Sequence, residues 1–74
     1  GKIEGLLTKT FANGDFMTVW YQNDLPNGRA KKYFQNGDVL KFLCVNGSAE
    51  GPAVRKFRSG VIEKFNFRNS IKEG

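Results

Sequence analysis

The chain holds no histidine and a single cysteine, Cys44, among its 74 residues. One cysteine cannot close an intrachain disulfide, and without histidine this segment cannot assemble a Cys/His zinc cluster. The imidazole chemistry of serine and cysteine hydrolases is missing for the same reason, because no side chain titrates near neutrality without a large perturbation. No apolar run approaches the roughly 20 residues a membrane span needs, and no signal-peptide pattern opens the segment. Glu63 has no partner carboxylate at a fixed separation, so no acid and base pair is indicated. The glycines alternate at spacings of 9 and 14 residues instead of clustering into a phosphate cradle. The expectation is a protein without catalytic residues, cofactor or metal. A chain this short buries only about 60% of its unfolded surface, so its core is meagre.

What the chain does have is a repeat. Gly5, Gly28, Gly51 and Gly74 stand 23 residues apart, and Gly14, Gly37 and Gly60 keep the same interval. Phe11, Phe34 and Phe57 precede the second glycine set by three residues, and Asn13, Asn36 and Ser59 stand immediately before it. Hydrophobic residues recur at Phe16, Val39 and Ile62, at Val19, Phe42 and Phe65, and at Tyr21, Cys44 and Phe67; Asn23, Asn46 and Asn69 follow. Three units result, residues 5–27, 28–50 and 51–73. Residues 1–4 read as the tail of a preceding unit and Gly74 as the start of a further one, which makes the segment an expected excerpt of a longer array.

Each unit reads as a β-hairpin, two runs alternating apolar and polar residues about an Asn-Gly or Ser-Gly turn. Glycine there supplies positive φ without steric cost. Side-chain parity chooses the loop length. Three loop residues put Phe34 on one face with Leu40, Phe42 and Cys44, whereas two put it with Val39, Lys41 and Leu43. The first face is the more apolar, and Phe11 with Met17, Val19 and Tyr21 agrees, although Glu63 interrupts the third unit. Residues 22–27, 45–50 and 68–73 read as the turns between units. The expected fold is all-β: three stacked antiparallel hairpins forming one elongated, twisted sheet. Phe11, Phe34, Phe57, Phe42, Phe65 and Phe67, fixed by the period, are expected to pack. Cys44, which replaces Tyr21 and Phe67, reads as a small buried hydrophobe. Asp15 and Asp38 read as turn-forming residues.

These residues resemble the MORN repeat (membrane occupation and recognition nexus), a 23-residue β-hairpin unit, over essentially the whole chain. Gly28, Phe34, Gly37 and Cys44, or Gly51, Phe57, Gly60 and Phe67, stand where that family opens a unit, places an aromatic before the turn glycine and closes the second strand. The run Tyr33-Phe34-Gln35-Asn36-Gly37-Asp38-Val39 looks most like the variant form of the motif. Leu7, Ala30 and Ala53 replace the second opening glycine, and Val19, Phe42 and Phe65 a later one. MORN arrays occur in scaffold proteins, ciliary components, lipid kinases and one class of histone methyltransferase. The resemblance therefore implies an interaction module without chemistry of its own. The expected location is intracellular and cytoplasmic.

Charge points to two further readings. Repeat one carries −1, repeat two +2 and repeat three +4. Lys32, Arg55, Lys56, Arg58, Lys64 and Arg68 are candidate ligands for anionic, phosphoinositide-containing membranes, with single-stranded nucleic acid a weaker reading. Lys9, Lys32 and Arg55 recur at one position, about 10 Å apart if hairpins stack at two strand spacings. Such a ladder either meets a polyanion or lays its stems over the sheet and blunts it against aggregation. Phe16 and Trp20 fall opposite Phe11 and, with Leu43, form a candidate partner-binding stripe. The leading expectation is a scaffold that contacts other proteins. Further repeats or self-association are expected at the open sheet edges.

Overall fold

The computed structural model describes residues 4–73. It forms one antiparallel sheet in meander order, with β1 at Gly5–Thr10, β2 at Phe16–Gln22, β3 at Leu25–Tyr33 and β4 at Val39–Val45. The short β5, Ser48–Ala49, also pairs with β4; β6 at Gly51–Lys56, β7 at Ile62–Arg68 and β8 at Ile71–Glu73 complete it. The stacked-hairpin architecture read from the repeat is the architecture observed. Residues 1–3 and Gly74, expected as parts of flanking units, lie outside the described residues.

Two kinds of turn alternate along the sheet. Along one edge lie three-residue loops, in which the Phe34 amide donates to the Asp38 carbonyl at 2.9 Å and the Gly37 amide to the Phe34 carbonyl at 3.0 Å. Gly37 adopts φ +100°, the left-handed value that ends a type I turn in a glycine bulge. Phe11 with Gly14, and Phe57 with Gly60, repeat this geometry, which agrees with the loop length that parity favours.

The other edge carries the turns between units, tighter than the sequence reading had them. Residues 22–27, 45–50 and 68–73 are mostly strand. Gln22 pairs with Leu25, Val45 with Ser48 and Arg68 with Ile71, leaving only two turn residues each time. Both turn residues take positive φ, as in Asn23 (53°) with Asp24 (68°) and Asn69 (51°) with Ser70 (66°), the twist-matched hairpin geometry. Each unit is thus joined to the next by a second hairpin. Between β2 and β3 the register slips after Val19, and Gly28 sits in the slip at φ +131°. A Cβ there would lie 3.1 Å from Trp20 Cβ, so the opening glycine is needed both for its dihedral and for the close approach.

The sheet measures 42 × 27 × 16 Å and has no second layer among the described residues, so one face must make the core from its own side chains. The register assigns Val19, Ala30, Cys44, Ala49, Ala53 and Phe65, the buried hydrophobic residues, to the face of Phe11, Phe34 and Phe57. Val19, Ala30 and Cys44 form the centre, with Met17, Tyr21 and Phe42 packed against it. Phe67 lies edge-on to both Phe42 (5.7 Å) and Phe65 (5.2 Å). Ala30 and Ala53 are each 2% exposed, and small residues suit a layer over which larger neighbours fold flat. Leu7, at the equivalent position on the outermost strand, stays 39% exposed.

Candidate functional site

The recurring cations are built into the packed face. Lys32 Nζ lies 4.7 Å from the Phe11 ring and 5.0 Å from that of Phe34, and the Arg55 guanidinium lies 4.5 Å from Phe34 and 5.0 Å from Phe57. Ring and cation therefore alternate from repeat to repeat, each such contact contributing about 0.5–1 kcal/mol. Lys9 begins the series 5.8 Å from Phe11. Of the two readings of this ladder, the geometry favours side chains laid over the sheet. Lys72, at the far edge, covers Phe65 at 4.7 Å and meets Glu63 at 3.3 Å.

Asp15 and Asp38 do more than shape turns. Each is buried, and the amide of each donates to the side-chain oxygen of the asparagine two residues earlier, Asn13 or Asn36, at 3.0 Å. In addition Asp15 Oδ1 accepts the Gln35 amide at 2.8 Å, and Asp38 Oδ1 accepts the Arg58 amide at 2.8 Å. Each aspartate thus clamps the loop of the following repeat. Arg55 Nη2 adds a 2.8 Å ion pair to Asp38 Oδ2. That guanidinium bond first, then the Arg58 amide, holds the Asp38 carboxyl below its ordinary value. Repeat three has Val61 at this position, 60% exposed, and so carries no such clamp. The signal for the clamps was in the sequence: an aspartate recurring on the apolar face. Its partner, 20 residues away, was not.

The opposite face is open and differently charged. Lys56, Lys64 and Arg68 lie there, joined by Arg29, Lys31 and Lys41. No side chain of the six has a hydrogen bond or ion pair to another described residue, and Glu73 is the one carboxylate the register places among them. Of the candidate anion ligands, Lys32 and Arg55 are therefore committed to the packed face, Arg58 sits on a loop with its side chain against Gly37, and the other three share the open face. Alternation sends Lys31 and Lys32 to opposite sides, but Arg29, Lys31 and Lys41 escaped the sequence reading because only the register shows which of them lie side by side across the strands.

Phe16, Trp20 and Leu43 all lie on the open face, 42%, 47% and 41% exposed. Phe16 stacks on Tyr33, centroids 4.7 Å apart and planes at 17°. Three adjoining clefts, of about 380, 500 and 400 Å³, lie along this face and share Lys31 as a lining residue. The first joins Arg29 and Leu43 to Pro52, the second Tyr33 to Lys56 and Ile62, the third Trp20 to Leu6. Cys44 is buried on the packed face, and desolvation pushes its thiol up, away from the reactive thiolate. No protein-family model and no curated protein matches the chain.

Proposed function

We propose that the chain is a non-catalytic, MORN-like repeat segment that serves as a scaffold and protein-interaction module inside the cell, with the open face as its contact surface. The observation that supports this reading is the separation of roles between the faces. Cations on one side are engaged with rings and carboxylates of the sheet, while those on the other stand free beside exposed Phe16, Trp20 and Leu43. Exposed aromatic and apolar groups with unpaired charge around them are the composition of a recognition surface. The outer strands β1 and β8 each pair on one side only among the described residues, so further repeats or a partner strand would find unsatisfied backbone there.

The test is made in the full-length protein carrying Trp20→Ala together with Leu43→Ala. The pair should strip the protein of its co-purifying partners while its thermal midpoint stays within a few degrees of wild type. An unchanged set of partners overturns the proposal.

A second reading, peripheral binding to anionic membranes, draws support from Lys56, Lys64 and Arg68 sharing the open face with exposed Ile62 and Ile71. Co-sedimentation with phosphoinositide-containing vesicles that survives about 0.3 M salt, and is lost on charge reversal at Lys64 and Arg68, supports it.

A further inference from the structure

We infer that the open face holds an acidic amphipathic segment of a partner protein, its carboxylates over Lys31 and Lys41 of the central row and over Lys56 beside them, and its apolar side chains against the apolar residues of the rows on either side. This rests on the scaffold reading above and names the chemistry of the partner. Cross-strand pairing arranges the open face in rows that run across the strands. One row holds Phe16, Tyr33, Val39, Lys56 and Ile62; the next holds Thr18, Lys31, Lys41, Val54 and Lys64; along the clefts on its far side lie Leu6, Trp20, Arg29, Leu43 and Pro52. The middle row is the charged one, and mostly apolar rows flank it.

Lys31 and Lys41 are direct cross-strand partners. Like charges in that arrangement are unfavourable, and no described carboxylate stands beside them. Lys56 is the diagonal neighbour of Lys41, about 7–8 Å away along the pairing pattern. All three ammonium-bearing side chains line the cleft of about 500 Å³, whose remaining walls are Tyr33, Val39, Val54 and Ile62. The free protein thus concentrates uncompensated positive charge over an apolar floor. A carboxylate-bearing ligand relieves the repulsion, and only one with apolar groups fills the walls.

Other occupants fit less well. A second copy of this chain carries +5 itself and brings no acidic face. Nucleic-acid bases need free aromatic planes, but Phe16 and Tyr33 already stack on each other, which leaves Trp20. A bilayer-surface protein seats its apolar groups deepest with cations around them, whereas here the facing Lys31 and Lys41 stand between apolar groups on both sides.

The probe is a synthetic helical peptide of about 14 residues, about 20 Å long, with one stripe of Glu flanked by Leu and Phe. That length matches the span from β2 to β7, about 19 Å at ordinary strand spacing. Binding to the whole chain is measured by fluorescence anisotropy beside polyglutamate of equal length, oligo(dT) and phosphatidylserine vesicles. The striped peptide should bind at least about tenfold tighter than each of these. Lys41→Glu should weaken it about tenfold while the thermal midpoint holds or rises, because the new carboxylate faces Lys31. That rise separates lost binding from lost folding. Equal affinity for polyglutamate reveals ion exchange alone and overturns the inference, as does tighter binding of oligo(dT) or of vesicles, or indifference to Lys41→Glu. If Trp20→Ala with Leu43→Ala strips cellular partners yet the striped peptide does not bind, the partner chemistry is wrong and the scaffold reading stands.

Discussion

Val19 and Trp20 are neighbours in β2, one 1% and the other 47% exposed, and between them they summarise the two faces of this sheet. A sheet with nothing stacked on it has to assign stability and recognition to opposite sides, since alternation sends successive residues to opposite surfaces. On the packed side every charge that the geometry brings close is used: Lys32 and Arg55 between rings, Asp38 on an amide and a guanidinium. On the open side Lys31 faces Lys41 across a strand pair. Groups on the packed side should therefore be sensitive to substitution in the free protein, and groups on the open side only in its complexes.

The most severe way to probe the difference is Val19→Ala, which removes two buried methyl groups from the centre of the core. It should cost about 2 kcal/mol in urea unfolding, enough to threaten a domain this small. Trp20→Ala, one residue away, should cost at most about 1 kcal/mol; equal losses would erase the distinction.

Next in size is the acid limb of the stability curve. The Asp38 carboxyl is held below its ordinary value in the folded protein, so the folded state binds fewer protons than the unfolded one. Its contribution is complete above the ordinary carboxylate range and is lost as the pH falls through the depressed folded value. Asp38→Asn should lower the urea midpoint at neutral pH and flatten its decline in acid. A decline as steep as that of wild type would assign the effect to other carboxylates.

Lys41→Glu reverses the usual sign and should raise stability by about 0.5 kcal/mol, read from the same unfolding curves. The smallest effect is expected from Lys64→Gln, within about 0.5 kcal/mol, against a measurably larger loss for Arg55→Gln on the packed face. A thiol reagent offers a readout that leaves the sequence intact: Cys44 should react only on unfolding, and rapid native labelling would show that the packed face opens.

The sequence made the hairpins legible because the turn glycines and the period-two apolar runs are local signals. Parity carried further, placing Phe16, Trp20 and Leu43 on the side opposite Phe34 before any register was known. The two-residue turns stayed hidden because Asp24 and Ser70 take left-handed φ without being glycine, and Pro26 looks like a breaker where it pairs with Tyr21. The clamps of Asp15 and Asp38 were illegible for a different reason: they join residues one repeat apart, and a single unit read alone shows only its own turn. The crowding of Lys31 on Lys41 likewise belongs to the pairing of strands and to neither strand by itself.

The valine at position 61 gives the array a mechanical direction. Repeats one and two are each riveted forward by a buried carboxylate, so tension along the sheet is shared between main-chain pairing and these side-chain rivets. At the seam between β7 and β8 Val61 stands where a rivet would be, and the exposed Lys72–Glu63 pair and Lys72 over Phe65 are the side-chain ties beside the main-chain pairing. Under load such a sheet parts first at that seam, while the strands from β1 to β7 stay together as a unit.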